Sequence, residues 1–161
     1  MPKKPAGTPA IAVLERAGIV YRLHEYEHDP RSQLGFGLEG ATKLGIAPER
    51  IFKTLLASAE GQLVVGIVPV SGKLDLKALA AAVGKKKAGM ADPDVAQKVT
   101  GYVVGGISPL GQKRALTTVI DESALVHPTV LVSGGRRGLD IELAPADLAR
   151  LTDAQFARIG N

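Results

Sequence analysis

The chain predicts an α+β domain built around a mixed, largely antiparallel sheet with flanking helices. Three observations carry that expectation. Two apolar, β-branched runs, residues 51–58 and 62–70, are joined by Glu60-Gly61, a two-residue hairpin signal. Segments with helix caps stand between such runs rather than apart from them. And 161 residues, 45% of them apolar, suffice for one real core but not for two, with no repeat or low-complexity linker to divide them. One continuous domain spanning residues 1–161 is expected.

The elements follow in chain order. Thr8-Pro9 reads as N-cap and first helical residue, Ile11, Val13, Leu14 and Ala17 supply an apolar stripe, and Gly18 sits where a helix closes. Residues 19–26, rich in β-branched and aromatic side chains and ending near Asp29-Pro30, predict a strand. A Gly-rich segment and a short helical stretch over 39–44 lead to the hairpin at the centre of the sheet. "LDLKALAAAVG" is a helix capped by Asp75 and stopped by Gly84; "DPDVAQKVTG" is another, with Asp92 as cap and Pro93 at the first position. Strands are then expected over 102–104, 117–120, 130–133 and 139–143, and one or two helices over 144–160.

Composition removes several classes of function. With no cysteine there is no disulfide frame, thiolate nucleophile or Cys-based zinc site. No stretch approaches the roughly 20 apolar residues of a membrane span, and the basic N-terminus lacks the apolar core of a signal peptide. A soluble, cytoplasmic protein without membrane attachment is expected. Net charge is only +4, but the basic residues gather at Lys3-Lys4, Lys85-Lys86-Lys87, Lys113-Arg114 and Arg136-Arg137, which suits either an anionic partner or a solvated surface.

Several familiar patterns fail on context. "HEYEHDP" (24–30) has the letters of a zinc-protease signature, which works only on a helix, where residues four apart share a face. On the predicted strand, His24 and His28 lie about 13 Å apart, so solvated or hydrogen-bonded histidines are expected and no metal. "GFGLEG" (35–40) fits a dinucleotide fingerprint but follows no strand, and "GISPLGQK" (106–113) places its lysine one position late for a phosphate loop. Around Ser108 there is no G-x-S-x-G elbow, so no nucleophile is advertised.

Unusual placements remain. Lys53 interrupts an apolar strand, where its ammonium must reach water at an edge or line a polar cavity. Gly105-Gly106 opens a proline-stiffened turn whose backbone N–H groups can donate to a carbonyl or phosphate oxygen. "VSGGRRGLDIEL" repeats the theme, with Ser133 ahead of two glycines and Asp140 entering the next strand. Together they describe a cleft, or simply turn geometry, and spacing alone names no ligand.

"HEYEHDP", "FKTLL", "LDLKALA", "MADPDVAQKVTGYVVGGISPLGQK" and "VSGGRRGLDIELAPADL" jointly resemble the bacterial YbaK family of aminoacyl-tRNA deacylases, relatives of the editing domain inserted in prolyl-tRNA synthetase. The likeness runs from the first predicted helix to the last and is to the Cys-tRNA(Pro) deacylase type. It implies an α+β domain whose sheet is partly closed around a pocket for the aminoacylated 3′ end of tRNA. It implies cytoplasmic trans-editing of mischarged Cys-tRNA(Pro), with Cys-tRNA(Cys) as a further substrate, prolyl-tRNA synthetase as a candidate protein partner, and no cofactor. By motif, Lys53, Gly105 and Gly106 are the implied catalytic residues. Lys53 would hold the adenosine or phosphate side, and the glycines would offer donors near the carbonyl. Tyr26, Thr54, Ser108, Pro109, Ser133, Gly134 and Asp140 are the implied substrate-binding residues, Asp140 anchoring the α-amino group or the loop.

The family is also thought to lack a general base or protein nucleophile, the thiol of the cargo attacking its own ester. An aminoacyl ester is already activated, so positioning and oxyanion stabilisation can supply much of the rate. Reactivity then filters cysteine from serine better than a pocket that separates isosteres by about 1–3 kcal/mol. Residues 31–41 depart most from the family pattern, leaving amino-acid preference open. The alternatives are a deacylase for Ala- or Ser-tRNA using a bound water, and a non-catalytic tRNA-binding module.

Overall fold

The computed structural model describes residues 7–161, so the Lys3-Lys4 cluster lies outside the described residues. Helix α1 (Pro9–Ala17) starts as expected: the Thr8 hydroxyl accepts from Ile11 N–H, and Gly18, at φ 65°, closes it in the left-handed region. Strand β1 (Tyr21–Glu25) follows, then helix α2 (Phe36–Leu44), which starts three residues earlier than its sequence suggests. Strands β2 (Phe52–Ala59) and β3 (Gln62–Pro69) form the expected hairpin, and both turn residues, Glu60 and Gly61, have positive φ, as a type I′ turn requires. Helix α3 (Leu76–Ala82) and helix α4 (Pro93–Thr100) carry their Asp75 and Asp92 caps, with the two-residue strand β4 (Gly89–Met90) between them.

Strands β5 (Thr117–Asp121), β6 (Val130–Ser133) and β7 (Leu139–Leu143) match expectation, and helix α5 (Pro145–Thr152) is followed by strand β8 (Gln155–Ala157) rather than a second helix. Asp153 is the reason: at φ 52° it caps α5 and turns the chain so that β8 pairs in parallel with β5. The strand expected over 102–104 is absent. Its polar groups are spent elsewhere: Tyr102 N–H donates to the Thr100 hydroxyl, Val104 N–H to Gln97 Oε1, and Gly106 N–H to Val103 C=O. Tyr102 itself turns inward and its hydroxyl donates to Leu110 C=O at 2.7 Å.

The strands form two open sheets, β1-β7-β6 and β4-β2-β3-β5-β8, joined by a parallel bridge between Ile51 and Leu131. All pairings are antiparallel except β3 with β5 and β5 with β8. The α+β class with a mixed, largely antiparallel sheet therefore holds, although neither sheet closes on itself. Strand β3 reads as an unbroken apolar run because both faces are covered: Val65 and Ile67 enter one core cluster with Phe52, Leu14 and Leu148, while Val64 and Val68 pack with Leu79 and Ile159. That double burial fixes β2 beside β3 and leaves the other edge of β2 to face the site.

Candidate functional site

On that edge β2 pairs with β4 only at Ala57 and Ser58, and Ala91 N–H adds one bond to Leu56 C=O. Toward Phe52 the edge has no further strand, and a cavity of about 360 Å³ opens there, within the range of small-ligand pockets. Because it meets β2 edge-on, consecutive residues from Phe52 to Leu56 all line it, although neighbours on a strand point to opposite faces. By the same alternation, Thr54 N–H and C=O point the same way as Leu56 C=O, toward the cavity. The other walls are the start of α2, the loop around Gly105, and the facing ends of β6 and β7.

The sequence-predicted residues divide cleanly. Tyr26, Lys53, Thr54, Gly105, Ser133 and Asp140 all line the cavity. Gly106, Ser108, Pro109 and Gly134 do not. Gly106 N–H is committed to Val103 C=O, and a Cβ there would meet the Arg136 backbone at 2.9 Å, so this glycine serves close packing and offers no free donor. Ser108 is fully buried; its hydroxyl accepts from Leu110 N–H and its carbonyl from Gln112 Nε2, while Pro109 is buried beside it. Gly134 N–H donates to Leu139 C=O in the β6–β7 hairpin. These four lie outside the lining of the cavity.

Among the lining residues, several polar groups have no partner. Thr54 Oγ1 is a buried hydroxyl without a hydrogen bond, an arrangement that costs about 1–3 kcal/mol when nothing fills it. Gly105 N–H has no acceptor among the described residues. The carboxylate of Asp140, a residue 8% exposed and opposite Ser133 on β6, receives no hydrogen bond from the described residues, and burial pushes it up to about 7. Lys53 has no carboxylate within ion-pair distance among the described residues. Its ammonium is held below the usual lysine range, chiefly by burial and then by Lys73. Tyr26 is pushed up to about 12 by burial, then by Asp140 and Glu39; its hydroxyl reaches Phe36 C=O only at 3.4 Å. Lys53, Asp140, Gly105 and Thr54 thus stand together in the lining of a cavity with largely apolar walls. Among the described residues no lining hydroxyl is hydrogen-bonded to a basic side chain, the arrangement that would activate it as a nucleophile.

The histidines of "HEYEHDP" are both occupied. His24 Nε2 lies 2.8 Å from Glu142 on β7, and His28 Nδ1 lies 2.7 Å from the buried Glu39 on α2. The glycines of "GFGLEG" belong to α2: a Cβ at Gly37 would strike Val70, and at Gly40 would crowd the Tyr26 ring at 3.2 Å. Phe36 on α2 lines the cavity between the His28 ring, 5.3 Å away, and the Arg137 guanidinium, 4.7 Å from its ring centroid. Sequence reasoning missed Phe36 as a lining residue and Arg137 as the side chain packed on it; the only signal was a lone aromatic inside a Gly-rich segment and an Arg pair that suited either an anionic partner or a solvated surface.

The chain matches the aminoacyl-tRNA editing domain family over residues 38–151. It is 38% identical over 154 residues, 94% of its length and 92% of the relative's, to an Enterococcus faecalis protein provisionally named a Cys-tRNA(Pro)/Cys-tRNA(Cys) deacylase, EbsC. A 73-residue stretch, 45% of the chain, is 36% identical to 13% of the proline–tRNA ligase of Moorella thermoacetica. A crystal structure described as a candidate trans-editing enzyme for prolyl-tRNA synthetase superposes with a TM-score of 0.83 at 27% identity, covering 95% of each chain.

Proposed function

Because the chain belongs to the family of aminoacyl-tRNA editing domains, we propose that it deacylates mischarged Cys-tRNA(Pro), and Cys-tRNA(Cys), in trans, with the aminoacylated terminal adenosine seated in the cavity. The observation that carries this reading is the set of groups there without a partner among the described residues, Thr54 Oγ1, Gly105 N–H and the Asp140 carboxylate, with no lining hydroxyl bonded to a basic side chain of those residues. Such a site positions and stabilises; it does not attack.

The attacking group is then the cysteine thiol of the substrate. Its sulfur bonds to the ester carbonyl carbon, the C–O bond to the ribose breaks, and the thiol proton passes to the leaving ribose oxygen. Water opens the resulting four-membered thiolactone to free cysteine. Gly105 N–H receives the negative charge on the carbonyl oxygen, Asp140 takes the α-ammonium, Thr54 contacts the cargo, and Lys53 meets the adenosine or its phosphate. The α2 start, Gly35–Leu38, also lines the cavity, so the segment that departs from the family pattern borders the cargo and bears on amino-acid preference. Prolyl-tRNA synthetase is the proposed partner that releases the tRNA to this chain, by analogy with the ligase that contains a similar stretch.

A second reading rests on Asp140. A carboxyl near pKa 7 suits a general base, which would let a bound water hydrolyse Ala- or Ser-tRNA. Release of labelled cysteine from Cys-tRNA(Pro) by Lys53→Ala and Thr54→Val tests the leading reading. Both are expected to lose about tenfold or more in single-turnover rate, while Thr54→Val keeps or raises the Tm because it removes an unsatisfied hydroxyl. Wild-type rates in both variants would remove these residues from the site, and binding without turnover in the wild type would reduce the protein to a tRNA-binding module.

A further inference from the structure

The donor at Gly105 is half of a peptide unit whose other half is held by a cation. Arg137 donates to Val104 C=O twice, from Nε at 3.0 Å and from Nη2 at 2.7 Å. No cis peptide occurs among the described residues, so in the Val104–Gly105 unit the C=O and N–H point in opposite directions. Fixing the carbonyl on the guanidinium therefore turns Gly105 N–H away from it, on a residue that lines the cavity and whose N–H has no acceptor among the described residues. Two bonds from a planar guanidinium converge on that one oxygen and hold it more firmly than a single bond would. A cation on the carbonyl also polarises the unit and strengthens its N–H as a donor.

The clamp is itself anchored. The guanidinium lies over the Phe36 ring, a Cβ on Gly105 would approach that ring at 2.6 Å, and a Cβ on Gly106 would meet the Arg136 and Arg137 backbone at 2.9–3.0 Å. Arg137 thus ties the β6–β7 hairpin, α2 and the Gly105 loop together. We propose that Arg137 is a positioning residue: through the Val104–Gly105 peptide it aims and strengthens the N–H that receives the carbonyl oxygen of the substrate ester. This rests on the deacylase reading above. Arg137 is solvent-exposed, so its loss should leave the core intact.

The test compares Arg137→Ala, Arg137→Lys and Arg136→Ala, the last removing an equal charge from the neighbouring side chain. Single-turnover deacylation of Cys-tRNA(Pro) is measured together with the Gly105 amide resonance of the full chain in ¹⁵N-labelled protein. For Arg137→Ala the expected result is a rate at saturating enzyme lowered by roughly 10- to 100-fold, with apparent affinity little changed. Guanidinium ion should partly restore that rate, and the Gly105 amide should move upfield. Arg137→Lys should fall between, and Arg136→Ala should keep the wild-type rate and resonance. Weakened affinity at an unchanged saturating rate, or a Gly105 resonance unmoved in Arg137→Ala, overturns the proposal. If the wild type releases no amino acid at all, the deacylase reading fails on its own, and the resonance alone decides whether the clamp exists.

Discussion

Asp140 couples the stability of the protein to the chemistry of its cavity. Its carboxyl is raised from 3.8 to about 7 by burial, so the folded chain keeps a proton that the unfolded chain has already lost. Between about pH 4 and pH 7 the folded state binds more protons, and stability falls as pH rises; above about 7 the full penalty of the buried charge remains. Asp140→Asn removes that charge. It should raise the Tm at pH 8 by roughly 8–16 °C, on the order of 4 kcal/mol for a chain of this size, and leave it little changed at pH 4. The same ionised carboxylate is the form that can take an ammonium, so the ratio of wild-type to Asp140→Asn kcat/KM should climb through pH 7. A variant less stable than wild type at pH 8, or a ratio flat with pH, would separate Asp140 from both roles.

Helix α2 shows how one element is made to serve the cavity, and how little of that was legible beforehand. Its anchor is Glu39, buried at its centre, against His28 and Asp29 N–H. Burial alone would raise this carboxyl, but the bonds from His28 and Asp29, with Lys43 nearby, hold it below the usual glutamate range. Its contribution is therefore present above the unfolded value, near 4.5, and is lost as pH falls through the lower folded value. Glu39→Gln should cost about 1–3 kcal/mol at pH 7 and less at pH 3, read by urea unfolding at the two pH values; equal losses would contradict the ion pair. The caps of α1, α3 and α4 and the Glu60-Gly61 hairpin were readable because each signal is local, a side chain bonding its own helix end or a φ that glycine tolerates. The start of α2 was not, since Gly35 gives no side-chain cap and what holds the helix is Tyr26, Val70 and His28 from elsewhere in the chain. The failed strand at 102–104 has the same origin: Val103 and Val104 have strand propensity, but Arg137 and Gln97 claim the backbone of Val104 first.

At the scale of the whole molecule, two open sheets meet at Ile51 and Leu131 and leave the edge of β2 uncovered beside the ends of β6 and β7. Motif placement found six of the cavity residues, five of them on strands or at strand ends and Gly105 in a loop, and it could not tell Gly105 from Gly106, whose N–H groups differ only in which of them a turn consumes. The chain belongs to a family of aminoacyl-tRNA editing domains, and the route proposed above takes its nucleophile from the cargo. The most direct measurement is release of labelled amino acid from Cys-tRNA(Pro) and Ser-tRNA(Pro) by the wild-type chain under identical conditions. Serine differs from cysteine by a hydroxyl in place of the thiol and fits the same space, so rapid loss of cysteine with serine retained is expected. Serine released as fast as cysteine would contradict attack by the substrate's own thiol and return the chemistry to a bound water at Asp140.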